Sequence, residues 1–425
     1  MNLTRLKRLI FSFFLIASSM TFLMVILKSA VSPLFGVYKE GFCILIILIS
    51  FFEYYKLNKI SLILMASMVF SIVALSSILI SELYNTLPLF NYVYEMKIFS
   101  FYFILFLAIT LLCSNYKNTE DNIKLATKVF LIFSIVNVIL SIIQRYYFSD
   151  VIASFGFESS VEARDSFGSE NSIVIQTQNG LFRTIGTFSA PMVLAEYLMF
   201  STFLFSLKSK DLMLKIVWIS MSILAIYFTS YKTVLMYLPA VILLSFLDTR
   251  YRKVTTASYC FLLLFFGFIA THTHIIYNIV YPFHQVYAEY SVRLRIEFLF
   301  DVFSQMDNIW KLLFGVGYGY NGGFLGYFEG SVPLDSIYIW ILSNYGFVGV
   351  MIFLILIVCL YNYKPFLTTG EHEEIFYSCK NYVVLVVCAN FFWNNIFINY
   401  PSFLFPLLFL ILYYNLIVQK NRLIN

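Results

Sequence analysis

The sequence predicts an all-α polytopic membrane protein with about twelve transmembrane helices and two long external loops on the side facing away from the cytoplasm. Three observations carry this expectation. Hydrophobic residues make up 60% of the 425-residue chain and charged residues only 12%, a balance that water-soluble domains do not reach. Apolar runs long enough to cross about 30 Å of hydrocarbon follow one another along it. Lys and Arg gather in the connections that an alternating layout puts on one side.

The runs lie near 9–27, 36–55, 60–80, 97–114, 129–147, 189–207, 212–229, 233–247, 254–272, 337–360, 381–398 and 403–419. The first follows Arg5, Lys7 and Arg8 as a signal peptide would, but it is long enough to span and has no small-residue cleavage site, so it reads as a helix. With both termini on one side, the connections 56–59, 115–128, 208–215, 248–253 and 361–380 fall there too. Together these segments hold well over half of the 28 Lys and Arg residues, which marks that side as cytoplasmic. The same bias accounts for the net charge of +5, so no nucleic-acid partner is read from it.

The chain divides into N-terminal helices (1–145), a first external loop (146–188), four helices (189–272), a second external loop with an amphipathic helix (273–336) and three last helices (337–425). It shows no internal repeat, Walker loop or dinucleotide fingerprint, which argues against an inverted-repeat transporter and against coupling to ATP. The six cysteines have no metal-ligand spacing and read as buried thiols.

The two external loops have room for a water-facing site. The first ends in Arg183-Thr-Ile-Gly186-Thr187-Phe188-Ser189-Ala-Pro191, with Pro191 in the first turn of the next helix and Ser189 as its N-cap. Arg183 either joins backbone N–H groups in binding an anion or snorkels to lipid headgroups. The external turn Thr229-Ser230-Tyr231-Lys232-Thr233 carries a Lys against the general charge bias; it faces an anion, or it is an interfacial Lys beside an interfacial Tyr.

In the second loop, residues 289–304 read as a helix with Arg293, Glu297, Asp301 and Ser304 on one polar stripe, where Glu297 is an i,i+4 partner for Arg293. Arg295 projects roughly 160° from that stripe, amid Val292, Phe298, Leu299 and Val302. It needs a carboxylate from another helix or a substrate phosphate. The run Leu313-Phe-Gly315-Val-Gly317-Tyr-Gly319 shapes a loop but lacks a P-loop lysine. Asp335, at the mouth of the tenth span, is a candidate base or a helix cap. Glu196, about one turn into the sixth span, is a second candidate base or half of a polar pair between helices.

Taken in order, Arg183-x-x-Gly186-Thr187-Phe188-x-x-Pro191, Ser230-x-Lys232, Arg293 and Arg295, the Gly315 to Gly319 run, and Asp335 followed by Asn344-Tyr-Gly346-Phe-Val-Gly349 give the stretch from about 180 to 360 its pattern. That pattern resembles the O-antigen polymerase and O-antigen ligase family of bacterial surface-polysaccharide assembly. Two departures stand out. Tyr231 separates Ser230 from Lys232 where the family carries adjacent Ser and Arg, so bidentate phosphate binding is not expected at that turn. Asp335 stands where the ligases commonly carry His, which favours the polymerase.

The resemblance implies a metal-independent, GT-C-like lipid-linked glycosyltransferase of the bacterial inner membrane that needs no cofactor. Its substrate would be a polyprenyl-pyrophosphate-linked oligosaccharide, and a chain-length regulator would be a protein partner. Within it, Arg183, Arg295, Arg293 and Lys232 would bind pyrophosphate and Asp335 would be the catalytic base. The alternatives are a ligase, which transfers the glycan to lipid A core or protein, and a lipid-linked oligosaccharide flippase. A flippase would carry charges deep in a central cavity rather than at external helix ends.

Overall fold

The computed structural model describes residues 3–54, 101–102, 104–113, 116–154, 177–178, 181–272, 290–317, 320–321, 336–364, 370–397 and 400–424. Among these, regular structure is helical except for one antiparallel pair of two-residue strands, β1 (Thr177–Gln178) and β2 (Leu181–Phe182).

Helices α1 (Leu3–Ser19) and α2 (Thr21–Ala30) occupy the first predicted span, but a break at Met20 bends the chain by 92°. The straight span expected there is thereby corrected. Backbone groups at the break find partners in the segment preceding α5: Thr187 Oγ1 donates to Ser19 O at 2.6 Å, and Phe22 N donates to Thr187 O at 3.0 Å. Irregular backbone is tolerated at membrane depth where protein covers it in this way.

A 3-10 turn, Pro33–Val37, leads into α3 (Tyr38–Tyr54). The predicted span 60–80 lies outside the described residues, and of the span 97–114 the residues 101–102 and 104–112 are helical. Helix α4 (Tyr116–Ser154) has 39 residues and absorbs most of the connection 115–128, expected as a loop. Its first turns are polar and supported by a Glu120–Lys124 pair at 2.7 Å, the i,i+4 arrangement that favours helix.

Helices α5 (Pro191–Lys208), α6 (Leu212–Thr229), α7 (Lys232–Phe246) and α8 (Thr249–Thr271) follow the predicted spans within a few residues. The second of the two predicted external loops contains α9 (Tyr290–Gln305) and the short α10 (Ile309–Phe314). The chain closes with α11 (Ile337–Asn362), α12 (Glu371–Asn390) and α13 (Leu404–Ile424). Helix α12 starts ten residues before the expected 381–398 and ends at Asn390, where Phe391-Phe392-Trp393 turns the chain. Its acidic first turn, with Glu371, Glu373 and Glu374, suits the positive end of the helix dipole.

Five helices are long and apolar enough to cross a membrane, and the bent α1–α2 pair makes a sixth if counted as one span, among the described residues. This is a multi-pass helical membrane protein. Helices α5 and α12 are buried along most of their length and pack together with α7; α5 also packs on α6, and α12 on α8 and α13. The apolar side chains Leu212, Val217, Phe261, Phe265, Met351 and Ile355 on α6, α8 and α11 face outward, as lipid-facing residues do. Five cysteines are buried, but Cys359 on α11 is exposed, contrary to expectation. In lipid, burying apolar surface between helices gains little, so close packing must hold the core. Aromatic contacts supply it: Tyr197 lies 4.6 Å from Phe130 and 4.9 Å from Phe405, and Phe203 stacks on Tyr382 at 4.7 Å.

The contacts sort into two ends. At one, Arg8 meets Asp121, Thr119 meets Gln419, Arg252 meets Glu374 and Lys420 meets Glu373. At the other lie the break at Met20, the loop carrying Arg183, the α6–α7 turn, α9 and the turn after α12.

Candidate functional site

The loop bearing Arg183 is held by three side chains of α4. Gln144 Oε1 accepts from Ile185 N at 3.0 Å and Gly186 N at 2.8 Å, and its Nε2 donates to Gly186 O at 3.0 Å. Asn137 Oδ1 accepts from Thr187 N at 2.7 Å and from Thr187 Oγ1 at 3.1 Å. Arg145 Nη1 donates to Phe182 O at 2.7 Å, and its guanidinium lies 5.7 Å from the centre of the Phe228 ring. Gly186 has φ of +59°, and a Cβ there would overlap Asn137 Oδ1, so backbone conformation and space both call for glycine. Phe188 is fully buried, and Pro191 opens α5 as predicted. The N-cap is Ala190 rather than Ser189, whose N–H donates to Thr21 Oγ1 at 3.1 Å.

Thus anchored, the loop lies across the C-terminal end of α6. Thr184 N donates to Phe228 O at 3.2 Å and Arg183 Nε to Thr229 O at 2.9 Å. Partial burial lowers the Arg183 pKa from its ordinary value, with Tyr231 opposing the shift. A guanidinium starts so high that it stays charged. The predicted tight turn is present: Ser230 takes the left-handed conformation at φ 52°, and Tyr231 N donates to Thr229 Oγ1 at 3.2 Å. Lys232 is exposed at the first position of α7, where the helix dipole disfavours a cation and an anion would relieve it.

The turn after α12 connects the remaining parts. Asn390 Oδ1 accepts from Tyr231 OH at 3.4 Å, and Asn390 Nδ2 donates to Glu196 Oε1 at 3.1 Å. Glu196 is buried, and its other oxygen accepts from Tyr237 OH. Three residues past Asn390, Trp393 O accepts from Arg295 Nε at 3.0 Å. Phe391 O and Asn394 O accept from Tyr338 N and Ile337 N at 2.8 and 3.2 Å. One turn therefore touches α5, the α6–α7 turn, α9 and the start of α11.

Helix α9 has the predicted faces: Glu297, Asp301 and Ser304 are exposed, while Leu299 and Val302 are buried. A backbone carbonyl, that of Trp393, receives the Arg295 Nε–H. The glycine motifs serve each other. A Cβ on Gly315 would strike the backbone of Ser343 to Tyr345, and one on Gly346, at the kink in α11, would strike the backbone of Leu313 and Phe314. Arg183 and Arg295 are thus linked through the α12 turn, with Lys232 adjoining. The side chain of Arg293, and Asp335 as a whole, lie outside the described residues; Ser336, next to Asp335, caps α11 through Ile339 N at 3.2 Å. Among the described residues, no group of three His, Cys, Asp or Glu is placed to hold a metal.

Sequence reasoning missed Asn137, Gln144, Arg145 and Asn390. The first three recur at i, i+7 and i+8, one face of the helix beyond its polar first turns, a signal available without the structure. Asn390 carried no such signal, because its span was misplaced. No protein-family model, curated protein or solved structure matches the chain.

Proposed function

We propose that the chain is a polymerase of lipid-linked oligosaccharide repeats, a glycosyltransferase with about twelve spans and a GT-C-like layout. In this reading it lies in the bacterial inner membrane with both termini cytoplasmic, and a chain-length regulator works beside it. The observation that carries the proposal is the hydrogen-bonded connection between Arg183 and Arg295 through the turn after α12, at one end of the molecule. Two oriented guanidiniums where helices end suit a lipid diphosphate, whose charge sits at the boundary of hydrocarbon and water.

The donor is a growing glycan on polyprenyl pyrophosphate. Arg183 and Arg295, with Arg293 and Lys232, hold the diphosphate and stabilise the charge that develops as it departs. A hydroxyl of the acceptor repeat attacks the anomeric carbon, the bond from that carbon to the pyrophosphate oxygen breaks, and the hydroxyl proton passes to Asp335. The donor's activated bond supplies the driving force, and no ATP is needed.

The test is polymerisation in membranes by Arg183→Ala, Arg295→Ala and Asp335→Asn variants that insert normally. Loss of long products with accumulation of single carrier-linked repeats is expected. Wild-type chain-length ladders from all three variants reject the site. Polymer that still accumulates on the carrier in a deletion strain, with loss only of its transfer to an acceptor lipid, identifies a ligase instead.

A further inference from the structure

Both oxygens of the buried Glu196 are engaged, one by Asn390 Nδ2 and the other by Tyr237 OH. Asn390 in turn has little freedom to flip its amide. Its Nδ2 donates to Val386 O at 3.0 Å as well as to Glu196, and its Oδ1 accepts from Tyr231 OH. An amide supplies a donor on one side and an acceptor on the other, and a carboxylate or hydrocarbon does not. The backbone continues the chain, because Asn390 O accepts from Trp393 N at 3.2 Å and Asn394 N at 2.9 Å, closing the turn whose Trp393 O holds Arg295. In the other direction, Tyr231 belongs to the turn whose Thr229 O holds Arg183.

From this we infer that Glu196 and Asn390 are a positioning pair that fixes the spacing of Arg183 and Arg295, and that Glu196 is not the proton acceptor. The inference rests on the polymerase reading. An acceptor hydroxyl reaching Glu196 would have to displace Tyr237 or Asn390, and Asn390 is itself a link in the connection between the arginines. Diphosphate binding by two separate cations depends on their spacing, and supporting hydrogen bonds set such spacings.

The experiment exchanges the two groups. Glu196→Gln leaves two amides face to face, and Asn390→Asp leaves two carboxyls. The double variant Glu196→Gln with Asn390→Asp restores a donor and an acceptor in reversed order, with loss only of the bond to Val386 O. Polymer formation from a polyprenyl-pyrophosphate-linked repeat is measured in proteoliposomes for the four proteins, alongside thermal unfolding. Each single variant is expected to lose at least tenfold in kcat/KM, and the double variant to return within threefold of wild type. Tyr231→Phe, which cuts the chain beyond the pair, is expected to lose activity with an unchanged unfolding temperature.

A double variant no better than the worse single variant overturns the positioning role. Wild-type protein that forms no polymer overturns the functional reading instead. The thermal cycle then decides the pairing alone: non-additive unfolding shifts support it and additive ones overturn it.

Discussion

The two ends of the molecule treat their cations differently. At the end with the N-terminus, Arg8 bonds to Asp121 at 2.7 Å, Arg252 to Glu374 at 3.0 Å, and Lys420 approaches Glu373 at 3.6 Å. At the opposite end, Arg145, Arg183 and Arg295 donate to the carbonyls of Phe182, Thr229 and Trp393. The division holds for the arginines and not for the lysines: Lys380, Lys208 and Lys253 at the first end donate to Tyr361 O and Tyr363 O, Thr127 Oγ1 and Asn362 Oδ1, while Lys39 and Lys311 at the other pair with Glu40 and Asp307. A carboxylate partner cancels charge. A carbonyl bond orients the guanidinium without itself cancelling anything, which is what an anion-binding surface requires.

The sharpest way to break this comparison is to change geometry while keeping charge. Arg295→Lys and Arg183→Lys remove the Nε–H donor, and each is expected to cut polymer yield at least tenfold, approaching the loss in the alanine variants, with little change in unfolding temperature. Arg252→Lys at the other end should leave the ladder intact. Equal losses at both ends would erase the distinction.

Next in size is a stability effect. Gly186→Ala forces a side chain into a left-handed position against Asn137, and about 3 kcal/mol of stability should be lost, read as a lower unfolding temperature in detergent together with lost polymer. An unchanged midpoint would mean that Asn137 gives way. Arg252→Ala should cost about 1–2 kcal/mol without changing chain length, since the Arg252 side chain is 9% exposed but its partner Glu374 is 48% exposed and solvated. The smallest effect belongs to Arg8→Ala, whose pair with Asp121 is half-exposed on both sides; less than about 1 kcal/mol is expected, and a larger shift would show that the end with the N-terminus is a coupled network.

The legible parts of the fold were those whose reasons are local. Helix α6 occupies 212–229 as expected because a run that is apolar apart from Lys215, Ser220 and Ser222 begins after Asp211, which caps it through Met213 N at 2.9 Å, and stops at Ser230. Helix α12 was misplaced because hydropathy treats Lys380 as an end, whereas the carbonyls of Tyr361 and Tyr363 each accept from it at 2.8 Å and let the helix begin earlier. In the site, Pro191 at the start of α5 and the face of Arg295 could be read from the sequence, whereas Gly186 entered only as part of the family-like pattern. The partner of Arg295 could not, since nothing in the sequence near residue 295 announces a carbonyl at residue 393.

The kink at Met20 has a consequence for how the chain is made. Its hydrogen-bond partner Thr187 lies 168 residues downstream, so at ordinary translation speeds on the order of ten seconds or more pass before that residue exists. The amino-terminal segment therefore cannot make the hydrogen bonds of its final bend until the later loop has been made, and completion of this end of the protein waits on residues far downstream.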